Sequence, residues 1–161
     1  MSVNRRNLLA SSAFLVLVGC QNGTTPQTQL KANAALVTAG VAAVAASVLA
    51  TPNLAPDTAA KINGALATVV AANNVIQQAT VMPTGNAAQQ LVVAIKVAAP
   101  ILLAMLVPTS SEAIALNAAL ALLPTILALA GVPPAPAATM AAKKMMDPAQ
   151  AVLILRGYTN K

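Results

Sequence analysis

Prolines divide most of this chain into apolar runs of helical length. Pro52, Pro83 and Pro108, and the Pro133-Pro134 pair, each close one such run and open the next. Proline cannot donate to a helix or sheet ladder from its own nitrogen, so it marks where regular structure stops. The runs between these breaks are rich in alanine, which has the highest intrinsic helix propensity. They show no sustained apolar–polar alternation, no aromatic enrichment and no hairpin dipeptide between β-branched runs. The expected fold class is all-α. We expect a small Ala-rich bundle of about four helices plus a short C-terminal helix.

The first helix is predicted over about Leu30 to Ala50, with Lys31, Asn33, Thr38 and Ser47 as its few polar positions. The second starts near Asp57, whose carboxylate can cap the first turn, and runs to about Val81. Ile62, Leu66, Val69 and Val70 form its apolar face. Asp57, Lys61, Gly64 and Thr68, then Asn73, Asn74, Gln77 and Gln78, form a polar face expected to meet water. Asn86 with Gln89 has the spacing of a capping box and opens a third helix, which Pro100 should kink and which ends at Val107-Pro108. Thr109 with Glu112 repeats the box and opens a fourth helix, which passes Pro124 and stops at Gly131. A stiff proline-rich connector and a short helix over about 137–146 come next. Asp147-Pro148 then starts a last helix that should end at Gly157.

Composition limits the core. Apolar residues make up 58% of the 161 positions and charged residues only 7%, with one Tyr, one Phe and no Trp. A soluble domain carries about a quarter charged residues. The interior must therefore be built from Ala, Leu, Val, Ile and Met, which bury little area per residue.

The N-terminus reads as a processing segment. Arg5 and Arg6 precede an apolar stretch from Leu8 to Val18, and small Gly19 then precedes Cys20, the single cysteine. A short basic-then-apolar start ending in small residues is excluded from fold reasoning. Leu17-Val18-Gly19-Cys20 resembles the lipobox of bacterial lipoproteins. That resemblance implies removal of residues 1–19 as a signal peptide and acylation (palmitate or a similar chain) on Cys20 as the lipid-attachment residue. A thiolate is a good nucleophile for such chemistry, and more than one acyl chain gives stable anchoring. Arg5-Arg6-Asn7-Leu8-Leu9 also resembles a twin-arginine export motif, although Asn4 and Ala10 depart from it, so that route and general secretion both stay open. Gln21 is not the Asp that resembles an inner-membrane retention signal, which favours the outer membrane. The organisation expected is signal peptide 1–19, polar flexible tether 20–29 and helical domain 30–161.

Charge and residue inventory exclude several functions. The formal charge is +6, and loss of Arg5 and Arg6 leaves about +4, scattered along the chain. Nucleic-acid binding needs a basic stripe with stacking partners, and one mature arginine and one aromatic do not supply it. Attraction to anionic headgroups needs less. The chain has no histidine, which removes His-based triads and the commonest metal ligand. Asp57, Glu112 and Asp147 each sit at a predicted helix start, where the helix dipole explains them. Ser110 and Ser111 read as cap residues, Lys143-Lys144 as a solvated helix end or headgroup contact, and Met140, Met145 and Met146 as core filling. No catalytic, cofactor-binding or metal site is expected.

Two functions fit these limits. One is a non-enzymatic, lipid-anchored envelope protein with a structural or interaction role on the periplasmic side. Its partner is membrane lipid, reached through acylated Cys20. The other is a membrane-inserting hairpin of pore-forming or lysis type, using residues 97–132. Its runs 97–107 and 113–132 are nearly uncharged, and the second is close to spanning length.

Overall fold

The computed structural model describes residues 25–133 and 146–160. Five helices make up its regular structure: α1 (Pro26–Leu49), α2 (Pro56–Gln78), α3 (Gly85–Leu103), α4 (Ser111–Leu129) and α5 (Pro148–Thr159). Among the described residues there is no strand. The all-α class and the plan of four helices plus a short C-terminal one are observed. The signal segment 1–19, Cys20 and the helix expected over 137–146, up to residue 145, lie outside the described residues.

Three of the five helices begin on proline. Pro26, Pro56 and Pro148 each stand in the first turn, where the missing N–H would have had no intrahelical partner. This corrects two predicted starts. Residues 26–29 are helical rather than part of the tether, because Thr25 accepts from the Thr28 amide at 3.3 Å and Pro26 comes next in the chain. Polar Pro26-Gln-Thr-Gln29 looks like linker, yet it is a capped first turn. In α2, Asp57 lies inside the first turn and Ala55 is the cap residue, without a side-chain bond. Helix α3 opens at Gly85 with Thr84 as an equally bare cap, so the Asn86–Gln89 box does not form. In α4 the Thr109–Glu112 box does not form either. Ser110, not Thr109, is the cap, and its Oγ accepts from the Ala113 amide at 3.1 Å.

The helix ends obey the same logic. Gly131 has φ +72°. Its N–H bonds the Ala128 carbonyl at 3.0 Å, and the Val132 N–H bonds the Leu127 carbonyl at 2.9 Å. This pair of bonds satisfies the last carbonyls of α4 around a left-handed residue that glycine adopts without strain. Gly157, by contrast, lies inside α5, which continues to Thr159. Pro100 and Pro124 sit within α3 and α4 on exposed positions. The carbonyls they leave unpaired, on Lys96 and Leu120, belong to an exposed and a half-buried residue, so water can serve them.

Successive helices run antiparallel. α1 packs on α2 and α4, α2 on α3, and α3 on α4, while α5 lies over α1 and α4. The diagonal pair α1 and α3 also touch, whereas α2 and α4 do not. The buried positions recur at three and four residues, the period of a helix seam. They are Leu30, Ala34, Val37, Val41, Val44 and Val48 in α1, and Ala88, Leu91, Ile95, Ala98 and Leu102 in α3. α4 contributes Leu116, Ala119, Leu122 and Ile126. The buried stripe of α2 is Ile62, Val69, Ala72 and Ile76. Leu66 is only half-buried against it, and Val70 is exposed. The seven-residue step from Ile62 to Val69 to Ile76 sets the inward direction, and Val70 lies about 100° away from it.

Two glycines mark close approaches. A Cβ on Gly40 would come within 2.5 Å of Leu155 Cδ2, so α1 lets α5 settle directly against its backbone. A Cβ on Gly85 would come within 2.7 Å of Val132 Cγ2, where the chain leaving α4 crosses the start of α3.

Candidate functional site

The predicted lipid-attachment residue, Cys20, lies outside the described residues, as do Lys143, Lys144, Met140 and Met145. The chain from Cys20 enters the fold at Thr25. At that entry, α1 is tied to the turn that leaves α2. Gln27 Nε2 donates to the Ala79 carbonyl at 3.4 Å, and Lys31 Nζ donates to the carbonyls of Ala79 (2.6 Å) and Gln77 (3.0 Å). Gln77 Nε2 returns a bond to the Lys31 carbonyl at 2.8 Å and reaches Asn73 Oδ1 at 3.1 Å. The ammonium of Lys31 thus sits on the negative end of the α2 dipole. Gln77, expected on the water side of α2, instead faces α1. Its identity as a polar residue gave no hint of that. Only the register between α1 and α2 decides it.

The acids do not assemble into a reactive group. Asp147 Oδ1 accepts from the Ala149 amide at 2.9 Å and caps α5. Asp57 is exposed in the first turn of α2. Glu112 lies in the first turn of α4 and accepts from Ser111 Oγ at 3.2 Å. Ser110 is committed to its cap. Among the described residues no group of three or more His, Cys, Asp or Glu comes together as a metal would need.

A polar junction that sequence reasoning missed joins the ends of α1, α4 and α5. Burial pushes the Tyr158 phenol above its ordinary value of 10.0, and the nearby Glu112 carboxylate pushes the same way. A hydrogen bond with the Ser47 side chain pulls it partly back. These residues lie more than forty positions apart in sequence, and no local signal links them. The junction thus places Tyr158 of α5 beside Ser47 of α1 and Glu112 of α4.

On the opposite side of the molecule, α2 and α3 leave an open groove of about 710 Å³ between them. Ala65, Ala71, Ala72 and Val75 line one wall, and Val93, Ala94 and Val97 the other, with Thr68, Asn86, Gln89 and Gln90 interspersed. No lining residue titrates, so the groove offers shape and apolar contact without acid–base chemistry.

Helices α1, α3 and α4 are each long and apolar enough to cross a membrane by length and composition. Leu30, Leu91, Ile95, Leu116, Leu122 and Ile126 are fully buried, whereas Val93, Val97 and Ile114 face outward. The same outward faces also carry Gln89, Gln90, Lys96 and Asn117. No known protein family, curated protein or solved structure matches this chain.

Proposed function

We propose that this protein is a non-enzymatic lipoprotein, held at a cell-envelope membrane by acyl chains on Cys20, with a structural or interaction role on the periplasmic side. One observation carries this reading. Arg5 and Arg6, the apolar stretch from Leu8 to Val18, and Leu17-Val18-Gly19-Cys20 stand in the order of a lipoprotein signal. Burial of Leu30, Leu91, Ile95, Leu116, Leu122 and Ile126 inside the bundle supports it, since these side chains are covered by other helices without a bilayer. Attachment then falls to the lipid, and more than one chain makes it durable.

Intact mass of the membrane-purified protein tests this directly. The expected species begins at Cys20 and carries acyl chains. An unmodified chain that still contains Arg5 and Arg6 would overturn it. Replacing Cys20 by Ala should release the protein into the soluble fraction on carbonate extraction.

A second reading rests on the length and apolarity of α3 and α4. In it, the hairpin over residues 97–132 inserts into the bilayer, opens the bundle and oligomerises. Carbonate extraction separates the two, because an inserted hairpin keeps the Cys20→Ala form in the membrane.

A further inference from the structure

We propose that the α2–α3 turn, through Val81 and Met82, enters the bilayer surface beside the acyl anchor and acts as a second membrane contact. The inference rests on the reading of Cys20 as acylated. Val81 is 73% exposed and Met82 38%, and they form an apolar turn at one end of the bundle. The bonds from Gln27 and Lys31 to Ala79 hold this turn beside the start of α1.

Chain length decides which end of the bundle meets the membrane. Five residues carry the chain from Cys20 to Thr25, a reach of at most about 18 Å when fully extended. Helix α1 has 24 residues and so is about 36 Å long. The other exposed apolar tip, Met105 and Val107 in the α3–α4 connection, lies at the far end of α1. With the bundle upright, the anchor brings the Val81–Met82 end to the headgroups and leaves the Met105–Val107 end beyond its reach. The charges agree with that orientation. The first turns of α1 and α3 and the turn between α2 and α3 contain no acid, and the Lys31 ammonium lies beside them. Asp57 and Glu112 stand at the starts of α2 and α4, at the opposite end, and the one acid toward the near end, Asp147, starts α5 on the α1–α4 side, away from the α2–α3 turn. At the α2–α3 turn itself, anionic headgroups therefore meet no carboxylate and one nearby ammonium.

The chain has no tryptophan, so a single introduced indole reports its own depth. Full-length acylated V81W, M82W and V107W, each alone, would be reconstituted into phosphatidylethanolamine/phosphatidylglycerol vesicles with brominated acyl chains. Loss of indole fluorescence is expected for V81W and M82W and not for V107W. If all three variants float with the vesicles and V81W and M82W stay as bright as V107W, the turn does not enter the bilayer and the inference fails while acylation stands. Stronger quenching of V107W would overturn it equally. If intact mass shows no acyl chain, the anchor reading fails, and this inference fails with it.

Discussion

Lys31 and Gln77 each donate a side-chain hydrogen bond to the other's backbone carbonyl across the α1–α2 interface. The arrangement joins the first turns of one helix to the last turn of the next. It supplies donors to carbonyls that end a helix without a glycine stop, since the C-terminal residue of α2 is succeeded by extended Ala79.

Both side chains should therefore contribute to stability, although composition would assign them to a solvated face. Lys31→Met keeps the apolar stem and removes two charge-assisted bonds. Because water reaches this site, the cost is expected at roughly 1–2 kcal/mol, the lower part of the range for bonds to a charged group. Gln77→Ala should cost about 0.5–1.5 kcal/mol. Each bond uses the partner's backbone and not its side chain, so the double variant should be additive within about 0.5 kcal/mol. Denaturant melts of the four forms measure this, and a larger coupling would mean that the bonds form only as a unit.

The rotation of α3 makes a sharper test of the core. Ile95 is fully buried while Val93, two positions earlier, is 59% exposed. Ile95→Ala should cost about 2–5 kcal/mol, as for other large-to-small core changes, and Val93→Ala under about 0.5 kcal/mol. On α2, Ile76→Ala should exceed Leu66→Ala, because Leu66 is only half-buried. Thermal melts that rank these pairs the other way would show that α2 and α3 are rotated from the positions described.

Much of this arrangement was legible in the sequence wherever one residue decides it. Gly131 was readable as the end of α4 because only a left-handed residue lets two amides fold back. Asp147-Pro148 was readable because cap and first-turn proline act within three residues. The misread positions depend on competition between neighbours or on distant partners. Thr109 and Ser110 are chemically similar caps, and sequence could not choose between them. At Pro26 the Thr25 cap and first-turn proline are a local signal too, but polar Gln27, Thr28 and Gln29 masked it, and packing of the turns that follow on α2 and α4 holds the helix. The Ser47–Tyr158–Glu112 junction and the inward turn of Gln77 depend on how whole helices slide past one another, which no local pattern encodes.

The contact between Gly40 and Leu155 predicts a size-dependent response. In Gly40→Ala the helix gains about 0.5–1 kcal/mol of propensity, but the new methyl must displace a buried Leu155, which costs about 1–3 kcal/mol. A net loss of roughly 1–2 kcal/mol is expected, and Gly40→Val should lose more. Leu155→Ala alone leaves a cavity costing about 2–5 kcal/mol. In the Gly40→Ala background the same change relieves the clash, so its cost should be smaller. Equal costs in both backgrounds would mean that α5 does not rest on Gly40.

The single tyrosine makes the junction at the end of α5 measurable by pH. Burial, then the charge of Glu112, raises Tyr158 above 10.0 in the folded state. The fold thus favours the neutral phenol. Its contribution is complete below the unfolded value near 10 and is lost as pH rises through the higher folded value. With one Tyr and no Trp in the chain, phenolate absorbance in the near ultraviolet reports this group alone. The midpoint should lie above that of the denatured chain. Glu112→Gln should lower it and Ser47→Ala should raise it further. Stability over that window is compared with Tyr158→Phe, which should lose less of it. A midpoint equal to that of the denatured chain, unmoved by Glu112→Gln, would show that Tyr158 is neither buried in the junction nor near Glu112.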